Sequence, residues 1–412
     1  MFSLYTLDIL FNVTFFVTLI YGWQIYAGSA AIRGNTKGFA FMFAVFAALM
    51  LGLYDIGYGY SGDRELYAYS FLQHVNSDKS WSEILSNKEW AFYLYQNLTS
   101  FLGEPQYWFI LTAFIYVFNY YVVAKRIAPE STFLLFLAIV GAFCFNGYGT
   151  NTIRAGLALS FVVVGVTYYE NIWKSLVFFF IAYNIHHSTA IPIAAFLVAK
   201  YYSKPKFFYY FWFVCVVLSA VAGNLFTSLF SAWGDDFDSR TSYLTTTETH
   251  YNVGFRIDFI LYSCMPIIIG YIYQNRLHYR NEFYSLIHNT YIIANAFWVL
   301  VIRANFSDRF AYLSWFMYAL VMMYPLLESP DSFNNVRQKI FWTLFGINLF
   351  TYFIKPNFSY HINLVFDLIK ILLLLKLLLQ KLVLNKLCVL TPKSHSPQRI
   401  LHYVLLLCFH LL

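Results

Sequence analysis

The stretch Ser175–Ala199, SLVFFFIAYNIHHSTAIPIAAFLVA, decides how this chain is laid out. It is largely apolar and is interrupted by His186-His187-Ser188, with Pro192 just beyond. Read as one membrane crossing, it separates Lys174 from Lys200, Lys204 and Lys206 and inverts every later loop. Read as two short or re-entrant halves meeting near the histidines, it returns those lysines to the side of Lys174. The second reading is preferred because basic and non-basic connections then alternate along the whole chain, as the positive-inside rule requires. Irregular backbone at membrane depth survives only when buried in protein or lining a cavity. The double histidine therefore marks an expected cavity.

That the solvent is a membrane follows from composition. Of 412 residues, 60% are hydrophobic, 22% aromatic and 11% charged, against about 25% charged in soluble domains. The apolar residues suffice for about twelve spans of ~20 residues each. A soluble multidomain enzyme and a disordered chain are excluded. The net charge of +7 is scattered rather than clustered, so nucleic acid is not an expected partner. Cys144, Cys215, Cys264, Cys388 and Cys408 form no C-x-x-C pair, which suggests neither a disulfide framework nor a metal site. Asp8 stands where a leader would be basic, and Ile9–Tyr26 is long enough to span; we expect an anchor, although Ala27-Gly28-Ser29-Ala30 could imitate a cleavage site.

Apolar runs fall at 4–27, 39–54, 106–123, 131–146, 153–169, 175–199, 207–230, 255–273, 284–302, 310–326, 339–354 and 362–384. The expected fold is all-α: a polytopic membrane bundle of about 12–13 crossings with one broken or re-entrant pair, outer-face loops and an amphipathic helix. One set of connections carries Arg33 and Lys37, Lys125 and Arg126, Lys174, Lys200 to Lys206, Arg276 and Arg280, and Arg337 and Lys339; it should be cytoplasmic, with the N-terminus outside. The other set comprises 55–105, 147–154, 233–254, 303–309 and 355–361. Within it, Glu89 to Leu102 has helical apolar spacing and is expected to lie along the outer leaflet, while Trp233 to Gly254 opens acidic with Asp235, Asp236 and Asp238. No internal repeat is evident, which counts against a transporter. A domain of residues 1–366 is followed by a Leu- and Lys-rich tail, 367–412, whose aromatics are Tyr403 and Phe409. Two readings of the tail stay open, a terminal helix with snorkelling lysines and an extension from a changed reading frame.

Ionisable residues near a membrane core are functional candidates by default, and four places on the outer side hold them. Gly62-Asp63-Arg64-Glu65-Leu66-Tyr67 offers paired carboxylates that could deprotonate a sugar hydroxyl or bind a cation, or a solvated loop start. Glu89 could join them, or simply complement a helix dipole. Asn151-Thr152-Ile153-Arg154 places a planar, permanently charged fork suited to phosphate, or a headgroup anchor. His186-His187 supplies a base or an interhelical hydrogen bond. Arg303 and Arg309 share a short outer loop with Asp308, where excess arginine needs a reason; an anionic substrate supplies one. Arg256 and Asp258 read as an intrahelical pair. With no phosphate-cradling glycine motif, H-E-x-x-H or G-x-S-x-G in the chain, a lipid-linked pyrophosphate suits the outer arginines better than a nucleotide donor.

At these residues the chain resembles the EpsG/Wzy-like family of bacterial polysaccharide polymerases. Gly62-Asp63 with Tyr67, then Glu89-Trp90-Ala91-Phe92, resembles the family's first outer loop. Asn151-x-x-Arg154 leading through a Gly/Ala/Leu helix and a basic turn to His187-Ser188-x-Ala190-Ile191 is the most specific block. Arg309-Phe310-x-Tyr312 running to Pro325 resembles the later arginine-led span. The likeness covers roughly residues 1–360. Ala155 stands where the family usually has Gln, and His186 where it usually has an aromatic, which leaves open which histidine acts. The resemblance implies a glycosyltransferase of the bacterial inner membrane that polymerises undecaprenyl-pyrophosphate-linked repeat units into O-antigen, capsule or exopolysaccharide at the outer face. Donor and acceptor are then both lipid-linked, no cofactor is needed, and a chain-length regulator is a further partner. In that frame Asp63, His187 and Glu89 are the candidate catalytic groups, and Arg154, Arg309, Arg303, Asn151, His186 and Tyr67 the substrate-binding ones. A lipid-linked oligosaccharide flippase and a non-catalytic scaffold are the rivals.

Overall fold

Backbone polar groups have no water to bond in a bilayer, so apolar runs satisfy them internally as helices. The computed structural model bears this out over residues 5–57, 62–77, 79–202, 204–234, 254–304 and 307–353, the residues described below. The acidic stretch from Asp235, Asn305, the 362–384 run and the 367–412 tail lie outside them. In chain order the helices are α1 (Thr6–Tyr26), α2 (Lys37–Gly52), α3 (Asp63–Asn76), α4 (Trp81–Leu85), α5 (Trp90–Leu98), α6 (Pro105–Ile127), α7 (Thr132–Gly141), α8 (Phe143–Thr150) and α9 (Ile153–Val166). There follow α10 (Ile172–Ile185), α11 (Ala190–Tyr201), α12 (Pro205–Gly234), α13 (Ile257–Tyr271), α14 (Glu282–Leu300), α15 (Ser307–Trp315), α16 (Tyr318–Glu328) and α17 (Val336–Phe353). No strand occurs among the described residues. Five helical segments there are long and apolar enough to cross a membrane, six if the bent pair α7–α8 counts as one span.

That bent pair is where the sequence drew a single run, 131–146. The axis turns by 70° between Gly141 and Phe143, with Ala142 extended. No proline forces the turn; packing does. A Cβ on Gly141 would lie 2.4 Å from the Asn348 amide, and Thr351 Oγ1 donates to the Gly141 carbonyl at 2.7 Å, so α17 fills the bend and satisfies a carbonyl it exposes. All ten residues of α7 are buried, which keeps this irregular backbone inside protein.

The interruption at the histidines is also real. His186 is extended, His187–Thr189 forms a single 3-10 turn, and α11 starts at Ala190. The Lys200 ammonium, at the end of α11, donates to the Tyr169 carbonyl at 2.6 Å, just before α10 begins. The chain thus goes out along α10 and back along α11, ending on the side where it began. The two halves splay: α10 packs on α9 and α11 on α14.

The basic connections gather at one end of the bundle. Arg126 donates to Thr167 O at 3.2 Å and lies over Tyr168. Tyr169 and Phe283 rings sit 5.2 Å apart, Tyr279 donates to Glu328 at 2.7 Å, Arg33 reaches Glu328 O and Glu130, and Arg337 donates to Ala30 O at 2.8 Å. Each basic loop so placed touches another of the same set.

Candidate functional site

The opposite end carries an outer layer made by α3, α4 and α5. It is seated on its own apolar cluster, in which Ala68, Phe71 and Phe92 meet Trp108 and Phe109 of α6, Ile153 and Leu157 of α9, and Ile185 of α10. Trp108 stacks on Phe71 at 5.6 Å and takes the Phe92 ring edge-on at 6.0 Å. The expected amphipathic helix is α5: Phe92 and Gln96 face protein, while Leu98 and then Phe101 stay exposed. Burying one face of α5 on the ends of α6, α9 and α10 fixes where its first residues lie.

Glu89, immediately before α5, uses that placement. Its side chain gives no cap bond to α5. Instead Oε2 meets Arg154 Nη1 at 2.7 Å. Oε1 takes His186 Nδ1 at 2.5 Å and the His187 backbone N–H at 3.0 Å. The carboxylate therefore ties the first turn of α9 to the break between α10 and α11 and satisfies an N–H that the break frees. Burial by itself would raise the Glu89 carboxyl, but the His186 hydrogen bond, the His186 and Arg154 charges and the His187 N–H outweigh it and hold the group at about 2. An ionised carboxylate only accepts, so the His186 proton sits on Nδ1. His186 is buried. His187 is half-buried, its ring stacked on Tyr183 at 4.4 Å.

A second pair lies beside the first. Asp63, the first residue of α3, accepts from Arg309 Nη2 on α15 at 3.1 and 3.3 Å. One turn on, Tyr67 packs its ring against Phe92 at 5.7 Å, and Phe92 lies 5.7 Å beneath the Arg154 guanidinium. Through these rings the structure brings Asp63, Arg309, Tyr67, Glu89, Arg154, His186 and His187 into one site, although they come from five separate segments.

Two expected members stand differently. Arg303 donates to Ala220 O at 3.1 Å and packs over Gly223 of α12, where Ala222 breaks the helical backbone; it serves a carbonyl exposed by that kink. Asn151 is exposed in the α8–α9 turn, its N–H on Gly147 O at 2.9 Å. Arg256 and Asp258 form the expected local pair, at 2.6 and 2.9 Å. Sequence reasoning passed over Arg64, which is buried and held down to about 9 by burial, against the opposing fields of Tyr54 and Asp55. The signal available was a cation flanked by two carboxylates at a helix start. It also passed over Tyr183, four residues before His187 and near the end of α10. Among the described residues no group of His, Cys, Asp and Glu is arranged to hold a metal ion.

Chemically, the site offers two arginine forks whose charge is balanced by carboxylates, with a half-buried imidazole alongside. An anion with more charge than one carboxylate can compete for either fork, and the carboxylate it displaces gains free lone pairs. A sequence model of the EpsG family matches residues 39–385, a range that holds every residue of this site and runs past the 366/367 boundary drawn above. No curated protein matches, and no solved structure matches.

Proposed function

The chain belongs to the EpsG family, and on that premise we propose that it is a glycosyltransferase joining oligosaccharide repeat units carried on undecaprenyl pyrophosphate, at the outer face of the bacterial cytoplasmic membrane. The observation that carries this reading is that Arg154 and Arg309, at the end of the bundle away from the basic loops, pair with carboxylates. The acceptor sugar hydroxyl attacks the anomeric carbon of the donor, the bond from that carbon to the pyrophosphate oxygen breaks, and the hydroxyl proton passes to a base. Pyrophosphate is a good leaving group, and preorganised arginines stabilise the charge it develops. Glu89, with both oxygens committed and its carboxyl held at about 2, is a poor proton acceptor; its task is to orient Arg154 and the histidines. Asp63 is the base we favour. A donor pyrophosphate that takes Arg309 releases Asp63, so the base is freed when the donor is in place.

A flippase would need charge through the middle of the bundle and access from both leaflets, whereas these part-buried ion pairs gather at one end. A scaffold would tolerate loss of either arginine. The test is the polymer ladder of cells carrying Arg154→Ala or Arg309→Ala with membrane insertion checked in parallel. Collapse to single repeat units supports the reading, and normal long chains from both variants overturn it.

A further inference from the structure

We infer that Arg64 is a positioning residue of this site: it fastens the first turn of α3 to the ends of α2 and α6 and thereby holds Asp63 against Arg309. The inference rests on the reading of Asp63 as a working group of the site. Arg64 is 4% exposed. Its Nη2 donates to both Gly52 O and Tyr54 O at 3.0 Å, carbonyls at and just past the C-terminal end of α2, where helices leave acceptors unfilled and the dipole is negative. The guanidinium lies 4.0 Å from the centre of the Phe109 ring on α6. Gln106 of α6 donates to the same Gly52 carbonyl. At Gly52 α2 and α6 press close together, since a Cβ there would lie 2.7 Å from the Ile110 Cα. Three helices thus meet at one node.

Gly62, the N-cap residue, brings no capping side chain. Adjacent residues on a helix point about 100° apart, so one turn sends Arg64 into the node and Asp63 across to Arg309. A fork that bridges two carbonyls while its plane stacks on an aromatic ring is a task for arginine and not for lysine, a point charge on a flexible stem.

The test compares Arg64→Lys, Asp63→Asn and the double variant in the full-length protein, assayed with lipid-linked repeat units. Misplacement of a reacting group by about 1 Å costs up to about a hundredfold. Arg64→Lys is therefore expected to lower kcat by about tenfold or more, with the donor KM and the protein yield unchanged. In the Asp63→Asn background the same change should cost nothing further. An unchanged kcat in Arg64→Lys, or an equal loss in both backgrounds, overturns the inference. A second measurement needs no activity. Cysteines placed by Asp63→Cys and Arg309→Cys, with the native cysteines replaced, are joined by a short bifunctional thiol reagent. A lower yield in the Arg64→Lys background supports the inference, and an equal yield overturns it. If the unaltered protein shows no polymerising activity, the proposed reaction fails while the cross-linking result still decides the placement.

Discussion

The two ends of the bundle spend their cations differently. At the basic end, Lys200, Arg126 and Arg337 donate to backbone carbonyls of neighbouring loops, and Arg33 combines a carbonyl with two exposed carboxylates. Those contacts finish helix ends, as cations near C-termini do. At the other end the arginines divide. Arg64 and Arg303 also serve carbonyls, but Arg154 and Arg309 meet part-buried carboxylates. A carbonyl contact costs little to leave in place for good. A part-buried ion pair costs desolvation to assemble and is often no more stabilising than apolar packing. Charge at one end meets backbone carbonyls, and at the other two arginines meet carboxylates.

The contrast can be broken most completely by its sidedness. Cysteines at Trp173 and Lys200 should be labelled from the same side, the cytoplasmic one, and cysteines near Leu66 from the other. Trp173 and Lys200 on opposite sides would refute the out-and-back course of α10 and α11. Next in size is activity. Arg154→Ala and Arg309→Ala should each lower polymerisation by about a hundredfold or more, as loss of a preorganised donor to developing charge does. Arg154→Lys should rescue little, because it cannot supply the fork. Lys200→Met and Arg126→Met should leave the polymer ladder intact.

A smaller effect is carried by Glu89, whose carboxyl is held at about 2 rather than 4.5. The sign follows from the depression: the stabilisation is complete above pH 4.5 and is lost as pH falls through about 2. It amounts to about 3 kcal/mol. Unfolding measurements on the unaltered protein and Glu89→Gln in detergent should differ by about that much at pH 6 and converge toward pH 2. A constant gap across that range would show that the ion pair is not its source. Smallest is the cost of Lys200→Met, about 1 kcal/mol for one hydrogen bond, read as a small drop in melting temperature with no change in product.

Much of this architecture is legible in the residues. The all-helical membrane bundle follows from composition, and the positions of most helices from apolar runs, because a continuous apolar run satisfies its backbone in a bilayer as a helix, whereas barrel strands alternate apolar and polar residues. The break at His186-His187 shows in the sequence, since two polar rings interrupt a largely apolar stretch and the loop lysines fix the parity. The 70° bend at Gly141-Ala142 does not, because its cause is distant: Asn348 and Thr351 fill it from α17. Nothing within 131–146 announces a partner two hundred residues away.

The site divides along the same line. Asp63, Glu89, Arg154, the histidines and Arg309 can be nominated from sequence because ionisable side chains beside apolar runs are costly and therefore conspicuous. Which of them meet, and in what state, cannot. Arg303 and Arg309 share one loop, yet the kink in α12 claims the first while Asp63 pairs with the second. Glu89 and Asp63 are both carboxylates at helix starts, and only the folded neighbourhood makes one a fully committed strut and the other the partner of a single arginine. The types of residue and their order come from the chain itself. Their pairing is decided by packing, because contacts between segments far apart in sequence depend on how the helices beneath them are seated, as Trp108 and Phe109 seat α3 and α5.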